Sequence, residues 1–259
     1  MVKLKKYNGV LKLFVIFLTL FFIFSCSQKN YNLTKIEGKQ LPITEKGTET
    51  PAIENFIKPY RDHINKDLDN VLAYCPETLD KSTGKWQTSI GNLMADVCVK
   101  RGNLVFEARE KKKIDLCLLN HGGIRAILPK GNVTNRTAFE IMPFENSMVV
   151  MALKGDQILE MTSYIIKAQK AQPLSGMTFT IAKDKTAKNI MIQGKPLDLN
   201  KIYYVATNDY LANGGDSMSF FAKSVQKYDL NYKLRDVLID YFKEVDTIPV
   251  AKDIRITEE

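Results

Sequence analysis

Histidine is scarce in this sequence, which has only His63 and His121 in 259 residues. A hydrolytic centre with two metal ions needs several histidine and aspartate ligands. The pair Asn120-His121 suits such a centre, but no Asp-x-His or His-x-His motif accompanies it. We therefore expect no catalytic residue, metal or cofactor in this chain.

Long apolar runs are also missing. The longest, residues 13–24, has 12 residues, fewer than the roughly 17–25 that span a bilayer. It follows four lysines and ends at Ser25-Cys26, an order typical of a secretory signal. A small residue before a cysteine resembles a bacterial lipoprotein cleavage site, so we predict a signal peptide over residues 1–25 and lipidation of Cys26. The protein is then exported and lipid-anchored to a bacterial membrane, facing the periplasm or the cell surface. An ordinary signal peptide with an incidental cysteine is the alternative.

Cysteine is sparse beyond that point, with only Cys75, Cys98 and Cys117 remaining. Three scattered cysteines make no disulfide framework, and whether two of them pair is left open. Cys117 lies in the apolar segment "IDLCLL", where a small buried hydrophobe is expected and not a reactive nucleophile.

Positive charge is modest once the predicted signal peptide is removed. Loss of its four lysines lowers the formal net charge from +8 to +4. There is no arginine-rich arm and no basic stripe interleaved with aromatics, so we predict no nucleic-acid partner.

Residues 26–50 are polar and lack a sustained period, which indicates a tether. Residues 51–259 then form one domain.

Apolar periodicity predicts helices and strands that are segregated along this domain. A first helix starts at Thr50-Pro51 and carries an apolar stripe that we expect to be buried: Ile53, Phe56, Ile57, Tyr60, Ile64, Leu68, Val71 and Leu72. Further helices are predicted at 89–100 (capped by Ser89 or Asn92), 135–141, 156–169 and 233–243. Strands are predicted at 114–120, 147–153, 176–182, 188–197, 201–208 and 253–257, the third to fifth of them as an antiparallel meander. The fold class is α+β, with mixed or antiparallel sheets flanked by helices.

The segment "NHGGIR" follows a predicted strand and places Gly122 and Gly123 before Arg125. Glycines let backbone N–H groups approach an anion closely, and an arginine can grip phosphate oxygens with two hydrogen bonds. A phosphate-binding loop and a tight turn with an exposed arginine both fit this segment.

A second glycine loop, "NDYLANGGDS", strengthens the phosphate interpretation. Its Tyr210 offers an aromatic face for a base, and its Asp216 can accept hydrogen bonds from two sugar hydroxyls. The segment "MPFEN" adds a further aromatic side chain, Phe144. Together the segments hold groups for the base, the ribose and the phosphate of a nucleotide.

Seven motifs follow one another in the order "SIGNLMAD", "NHGGIR", "GNVT", "MPFEN", "LKGDQI", "LSG" and "YYVATNDYLANGGDS". Together they resemble the C-terminal domain of the 5′-nucleotidase family. The resemblance covers residues 51–256. It implies that this domain binds the nucleoside part of a substrate, while an N-terminal metallophosphatase domain of full-length members holds two metal ions and the catalytic Asp-His pair.

By similarity, Asn120 contacts the base, Phe144 and Tyr210 sandwich it, Asp216 holds the ribose hydroxyls and Arg125 contacts phosphate. The glycines that shape the two loops are Gly122, Gly123, Gly214 and Gly215.

Three departures from the family's pattern stand out. The family has an arginine a few residues before the glycine at Gly91, whereas Lys85 is the nearby cation here, and lysine is a point charge without the planar fork of arginine. Tyr210 stands where phenylalanine is common. Residues 1–50 are too few to contain the catalytic domain.

These features predict the recognition subunit of a split 5′-nucleotidase, completed by a separate metallophosphatase chain that alone would hold divalent metals. A nucleoside-binding lipoprotein without catalytic function is the alternative. A structural lipoprotein whose loops have drifted is a third hypothesis, and the joint presence of the site residues argues against it.

Overall fold

A computed structural model describes residues 4–23, 32–42, 44 and 50–259. The chain forms two units, residues 1–51 and 52–259. In the first unit, Leu4–Ile23 form helix α1, and residues 32–42 and 44 belong to no helix or strand. None of the helices in these ranges is both long and apolar enough to cross a membrane. Cys26 lies outside the described residues, so its lipidation and the boundaries at residues 25 and 50 stay predictions.

The remaining helices are α2 (Pro51–Leu68), α3 (Ser89–Glu110), α4 (Asn135–Ile141), α5 (Gly155–Ala168), α6 (Asp209–Ala212) and α7 (Leu234–Glu244). The strands are β1 (Val71–Cys75), β2 (Leu116–Leu118), β3 (Gly131–Thr134), β4 (Ser147–Lys154), β5 (Leu174–Ser175), β6 (Met177–Ile181), β7 (Ala187–Ile192), β8 (Lys195–Pro196), β9 (Ile202–Asn208), β10 (Gln226–Lys233) and β11 (Ile256–Glu258).

The strands form a central sheet, a smaller second sheet and a two-stranded pair. The central sheet has the order β10-β4-β9-β2-β5 and the second sheet the order β11-β6-β7-β8, while β1 pairs with β3. Neighbouring strands are antiparallel except for β2–β9 and β6–β11. The predicted α+β class with mixed sheets is confirmed.

The central sheet is buried on both faces. Along β4, Val149 and Met151 pack in one core with α5 and the second sheet, whereas Met148 and Val150 pack in the other core with α3 and α7. Double burial explains why β4 is an almost continuous apolar run without the alternation of a half-exposed strand.

The predicted meander is only partly correct. Strands β6, β7 and β8 do pair antiparallel in chain order. The last strand of the predicted meander, β9, lies instead in the central sheet, where it pairs with β4 from Met148 opposite Asn208 to Lys154 opposite Ile202. Val205 and Ala206 point to opposite faces of β9 and are both fully buried. Strand β9 therefore needs packed side chains on both faces, which the edge of the small sheet does not offer.

The first predicted helix is confirmed as α2, but two expectations about it are wrong. It ends at Leu68, so that Val71 and Leu72 belong to strand β1, and none of its residues is buried. Phe56 on the apolar stripe is 70% exposed. The C-terminal end of α2 is held by polar contacts, in which Arg136 of α4 donates to Asn65 Oδ1 at 2.9 Å. Periodicity reports an apolar face but not whether anything covers it.

Helix α3 begins after a cap that the sequence did not single out. Thr88 is the N-cap, and its Oγ1 accepts a hydrogen bond from Gly91 N at 3.1 Å. The predicted caps Ser89 and Asn92 both lie inside the helix. The cap is decided by which residue keeps an extended backbone while its side chain reaches the first turn, and Thr88 does so with φ −133° and ψ 154°.

The parallel pairing of β2 with β9 decides which loops meet. Leu116 lies opposite Val205 and Cys117 opposite Ala206, so both strands end at the same edge of the sheet. Strand β4 runs antiparallel to β9 and therefore begins at that edge. The loops after β2 and β9 and the loop before β4 consequently come together, although they are far apart in the chain.

Two phenylalanines on helices provide a matched test of this packing. Phe106 of α3 has no exposed surface, whereas Phe56 of α2 is 70% exposed. We expect Phe106→Ala to lower the free energy of unfolding by about 3–5 kcal/mol, and Phe56→Ala to change it by about 0.5 kcal/mol or less. Urea denaturation of both variants measures the difference. A loss of several kcal/mol in Phe56→Ala would mean that the α2 stripe is buried after all.

Candidate functional site

The first glycine loop is a short 3₁₀ turn that follows Asn120. Asn120 is 7% exposed and its carbonyl accepts a hydrogen bond from Gly123 N at 3.1 Å. His121 N donates to Gln172 Oε1 at 2.7 Å, and His121 Nδ1 lies 3.2 Å from Ala171 O. These contacts hold the loop against the segment before β5.

The second glycine loop begins with helix α6, whose N-cap Asn208 accepts a hydrogen bond from Leu211 N at 2.8 Å. Glycine is favoured at two of its positions. Gly214 has φ +91°, in the left-handed region, and a Cβ on Gly215 would lie 2.5 Å from the Tyr210 ring. The ring of Tyr210 therefore rests directly on the backbone of this loop.

Asp216 joins the two loops through its carboxylate. Asn120 Nδ2 donates to Asp216 Oδ2 at 2.7 Å, and the Tyr210 hydroxyl donates to Asp216 Oδ1 at 2.9 Å. The Tyr164 hydroxyl donates to the backbone carbonyl of Asp216 at 2.8 Å. Because each carboxylate oxygen accepts more than one hydrogen bond, this anchored group can still accept two from a ligand.

A cavity of about 330 Å³ opens between the loops. Its lining residues are Asn120, Gly122, Gly123, Phe144, Asn146, Tyr210 and Asp216. Phe144 is 44% exposed and Tyr210 47% exposed, so each ring keeps part of its surface open. The volume is within the range of small-molecule sites, and two open aromatic rings with a few polar groups are a typical lining.

Two basic residues, at the end of β10 and the start of α7, hold the loop that carries Phe144. Arg235 Nη1 donates to Pro143 O at 3.3 Å, and Arg235 Nη2 contacts the Glu145 carboxylate. Lys233 Nζ donates to Glu145 O at 2.7 Å. The hydrogen bond from Arg235 lowers the pKa of Glu145. Arg235 and Lys233 were missed in the sequence because they lie about 90 positions from the loop, in a segment without a motif.

Two cations contact backbone carbonyls of the first loop. Arg125 Nη1 donates to Gly122 O at 3.4 Å, and its guanidinium carbon is 5.8 Å from the centre of the Phe144 ring. Lys81 Nζ donates to Ile124 O at 2.6 Å and to His121 O at 3.4 Å. Burial and the neighbouring charge of Arg125 lower the pKa of Lys81. Over the residues that the structure describes, neither cation forms an ion pair with a carboxylate.

Possible metal ligands are dispersed. Within the described ranges, no three His, Cys, Asp or Glu side chains lie close enough to share an ion. His63 is on the exposed surface of α2, where its Nε2 is 3.6 Å from Asp67 Oδ2. Cys75, Cys98 and Cys117 are buried free thiols, and burial raises the pKa of Cys117 well above its ordinary value.

Comparison with known protein families places this fold. The family described as 5′-nucleotidase, C-terminal domain, matches residues 71–223, which is more than half of the chain. The chain belongs to this family. The resemblance inferred from the ordered motifs is thereby confirmed.

Individual relatives agree with the family assignment. An apyrase from Tabanus yao is 24% identical over 249 residues, which cover 88% of this chain and 45% of the relative. A 5′-nucleotidase from Vibrio vulnificus is 23% identical, with 84% of this chain and 39% of the relative covered. The crystal structure of a 5′-nucleotidase precursor from Thermus thermophilus has the same fold, with a TM-score of 0.66 and 24% identity over 80% of this chain and 42% of its own. The chain spans less than half the length of each of them.

Lys85 and Lys81 have different surroundings in the structure. Lys85, the cation singled out in the sequence, forms an ion pair with Glu258 at 2.5 Å and lies 5.3 Å from the Trp86 ring centre. Lys81 lies beside Arg125 instead. Two backbone hydrogen bonds between Leu79 and Leu128, at 2.8 and 2.9 Å, bring the segment that carries Lys81 to the first loop. A pairing between single residues leaves no periodic pattern in the sequence, so this contact could not be predicted.

The expected site residues gather as the motifs suggest. Asn120, Gly122, Gly123, Phe144, Tyr210 and Asp216 line one cavity, Gly214 and Gly215 support Tyr210 and Asp216, and Arg125 lies beside Phe144.

Proposed function

We propose that this domain binds a nucleotide with its base between Phe144 and Tyr210, its ribose hydroxyls on Asp216 and its phosphate at Arg125. The observation that carries the proposal is the convergence of three loops at one edge of the central sheet, each with a group suited to one part of a nucleotide. Open aromatic faces favour stacking of a flat, polarisable ring. The anchored carboxylate favours a vicinal diol.

Asn120 gives the base end of the cavity its polar contact. One of its amide hydrogens is used by Asp216, which leaves Oδ1 and the second hydrogen to pair with the base. Because the residue is nearly buried, a base that fails to satisfy this amide would leave a polar group unpaired at a cost of about 1–3 kcal/mol. Asn120 therefore supports selection among bases in addition to stacking.

The catalytic part of the proposal is a split 5′-nucleotidase. This chain would bind and orient the nucleotide, and a metallophosphatase on a separate chain would supply the divalent metals that activate water for hydrolysis of the phosphate ester. The scarcity of histidine supports a metal centre on another chain. Relatives named apyrase and 5′-nucleotidase support a nucleotide as the substrate. A nucleoside-binding lipoprotein without catalysis is the second candidate, favoured by the fact that the groups for base and ribose lie in one cavity of this chain.

A panel of ligands tests the binding roles. Tyr210→Ala should weaken adenosine binding about five- to a hundredfold, because a base stack contributes roughly 1–3 kcal/mol. Asp216→Ala should weaken adenosine more than 2′,3′-dideoxyadenosine, which lacks the hydroxyls that the carboxylate would accept. Arg125→Ala should weaken AMP more than adenosine. Isothermal titration calorimetry measures all three comparisons.

Controls in this panel separate recognition from folding. Tyr74 is 43% exposed on β1, away from the cavity, and Tyr74→Ala should leave adenosine binding unchanged. Tyr210→Phe keeps the ring and removes only the hydroxyl bonded to Asp216, so its effect reports that contact alone. If the variants weaken all ligands equally and lower the melting temperature, the residues build two turns and do not recognise the parts of a nucleotide.

The division of labour has its own test. The purified chain with added Mn²⁺ or Zn²⁺ should not release phosphate from AMP, and release should begin when a metallophosphatase chain encoded beside it is added. Arg125→Ala should reduce that activity through AMP binding. Turnover by this chain alone that persists through repurification and is lost in His121→Ala would contradict the split arrangement.

We also propose that a lipid on Cys26 anchors the protein to a membrane, supported by the apolar run that ends in Ser25-Cys26. Wild-type protein should sediment with bacterial membranes, and Cys26→Ser should be released or remain unprocessed. Membrane fractionation with mass spectrometry of the N-terminus gives the result. A Cys26→Ser protein that is still cleaved and still sediments would rule out the lipid.

A further inference from the structure

We infer that Arg235 is a positioning residue, which holds the loop of residues 142–146 in the conformation that lets Phe144 stack on a base. The inference rests on the proposed nucleotide function and adds to it a residue that affects base binding without touching the base. Arg235 is not among the residues that line the cavity, yet its guanidinium contacts the residues on both sides of Phe144.

The loop has little packing of its own to fix its position. Residues 143–145 are all exposed, so burial in the core does not hold the backbone of Phe144. The elements on either side are firmly packed, because Ile141 at the end of α4 and Met148 in β4 are buried. The position of the segment between them therefore depends on polar contacts.

The junction of β10 and α7 supplies those contacts. Arg235 Nη1 donates to Pro143 O at 3.3 Å, and Nη2 contacts the Glu145 carboxylate. A longer contact of 3.5 Å joins Nη1 to Met142 O, and Lys233 Nζ donates to Glu145 O at 2.7 Å. A guanidinium is planar and has five N–H donors, so this one side chain can hold several acceptors at fixed angles, which the point charge of a lysine cannot do.

Arg235 is itself held in place. It is 8% exposed, and its guanidinium carbon lies 4.1 Å from the centre of the Phe139 ring on α4. A cation over an aromatic face is attracted more strongly when water is excluded. Among the described residues, Nε of Arg235 has no hydrogen-bond partner, so the ring contact takes the place of a further hydrogen bond. Arg235 thereby ties α4, α7 and the Phe144 loop together.

A stacking ring contributes to binding only while it is in the right place. If the loop without Arg235 keeps the competent conformation for about a tenth of the time, the apparent affinity for a nucleotide falls about tenfold, although no group that touches the ligand has changed. This loss depends on the Phe144 ring, since the position of the loop matters little once the ring is removed. That dependence separates positioning from general destabilisation.

A double-mutant cycle tests the dependence. Arg235→Met should weaken AMP binding about tenfold in the wild-type background, and about twofold or less in the Phe144→Ala background. Arg235→Lys, the milder change, should show the same pattern at smaller size. Arg101→Met is the matched control, because Arg101 donates to Glu244 at the other end of α7, at 3.0 Å. It should leave AMP binding unchanged. Isothermal titration calorimetry gives the affinities.

A measurement without ligand separates this inference from the nucleotide proposal. Trp86 is the only tryptophan of the sequence, so protein carrying Phe144→Trp and Trp86→Phe has a single indole, at the tip of the loop. Its time-resolved fluorescence anisotropy reports the local motion of that loop. Adding Arg235→Met should increase the fast component of the depolarisation, and adding Arg101→Met should not.

The two measurements together give distinct outcomes. Unchanged anisotropy on Arg235→Met overturns the inference, whether or not a nucleotide binds. An AMP affinity that is unchanged by Arg235→Met, or that falls equally in both backgrounds, also overturns it and leaves the nucleotide proposal intact. Increased motion of the indole in a protein that binds no AMP supports the positioning role and counts against the nucleotide proposal alone.

Discussion

The parallel pairing of β2 with β9 is the constraint on which the candidate site depends. Parallel strands end at the same edge of a sheet, so this pairing places the loop after Leu118 beside the loop after Asn208. The antiparallel pairing of β4 with β9 brings the Phe144 loop to the same edge. Both faces of these strands are packed in hydrophobic cores, and a shift of register by one residue would exchange the two sets of core side chains. The cavity thus rests on the least adjustable part of the fold.

Within that frame, the Asp216 carboxylate is the point where the loops are joined. It accepts hydrogen bonds from Asn120 of the first loop and Tyr210 of its own loop, and the backbone of the same residue is held by Tyr164 of α5. A site whose polar groups already hold one another loses little conformational entropy when a ligand enters. The hydroxyl of Tyr210, which phenylalanine could not provide, gives this chain one more of these contacts. Gly215 permits it, since any side chain there would displace the ring.

The sequence predicted features that depend on neighbours along the chain and missed those that depend on distant pairing. Helix α4 has the predicted bounds, and the residues of the two glycine loops converge as their motifs suggest. Strand β9 was assigned to the wrong sheet because its pattern of apolar residues does not specify a partner. The α2 stripe was expected to be buried because periodicity reveals a face and not its cover. Lys85 was named as the nearby cation, and Lys81 was not considered, because distance in the chain does not report which lysine pairs with a carboxylate and which donates to a loop carbonyl.

Burial and charge differ between the two ends of the cavity. Asn120 is nearly buried and the aromatic rings are about half exposed, whereas Arg125 is exposed and lies 5.8 Å from the centre of the Phe144 ring. A nucleotide bound with its base against Asn120 and its phosphate at Arg125 would therefore place the uncharged end inside and the charged end at the surface. Burying the base removes apolar area from water, while a phosphate at the surface keeps part of its hydration and avoids the desolvation penalty of a buried charge. The same orientation leaves the phosphate ester accessible from outside the domain, which is the condition that hydrolysis by a separate chain requires.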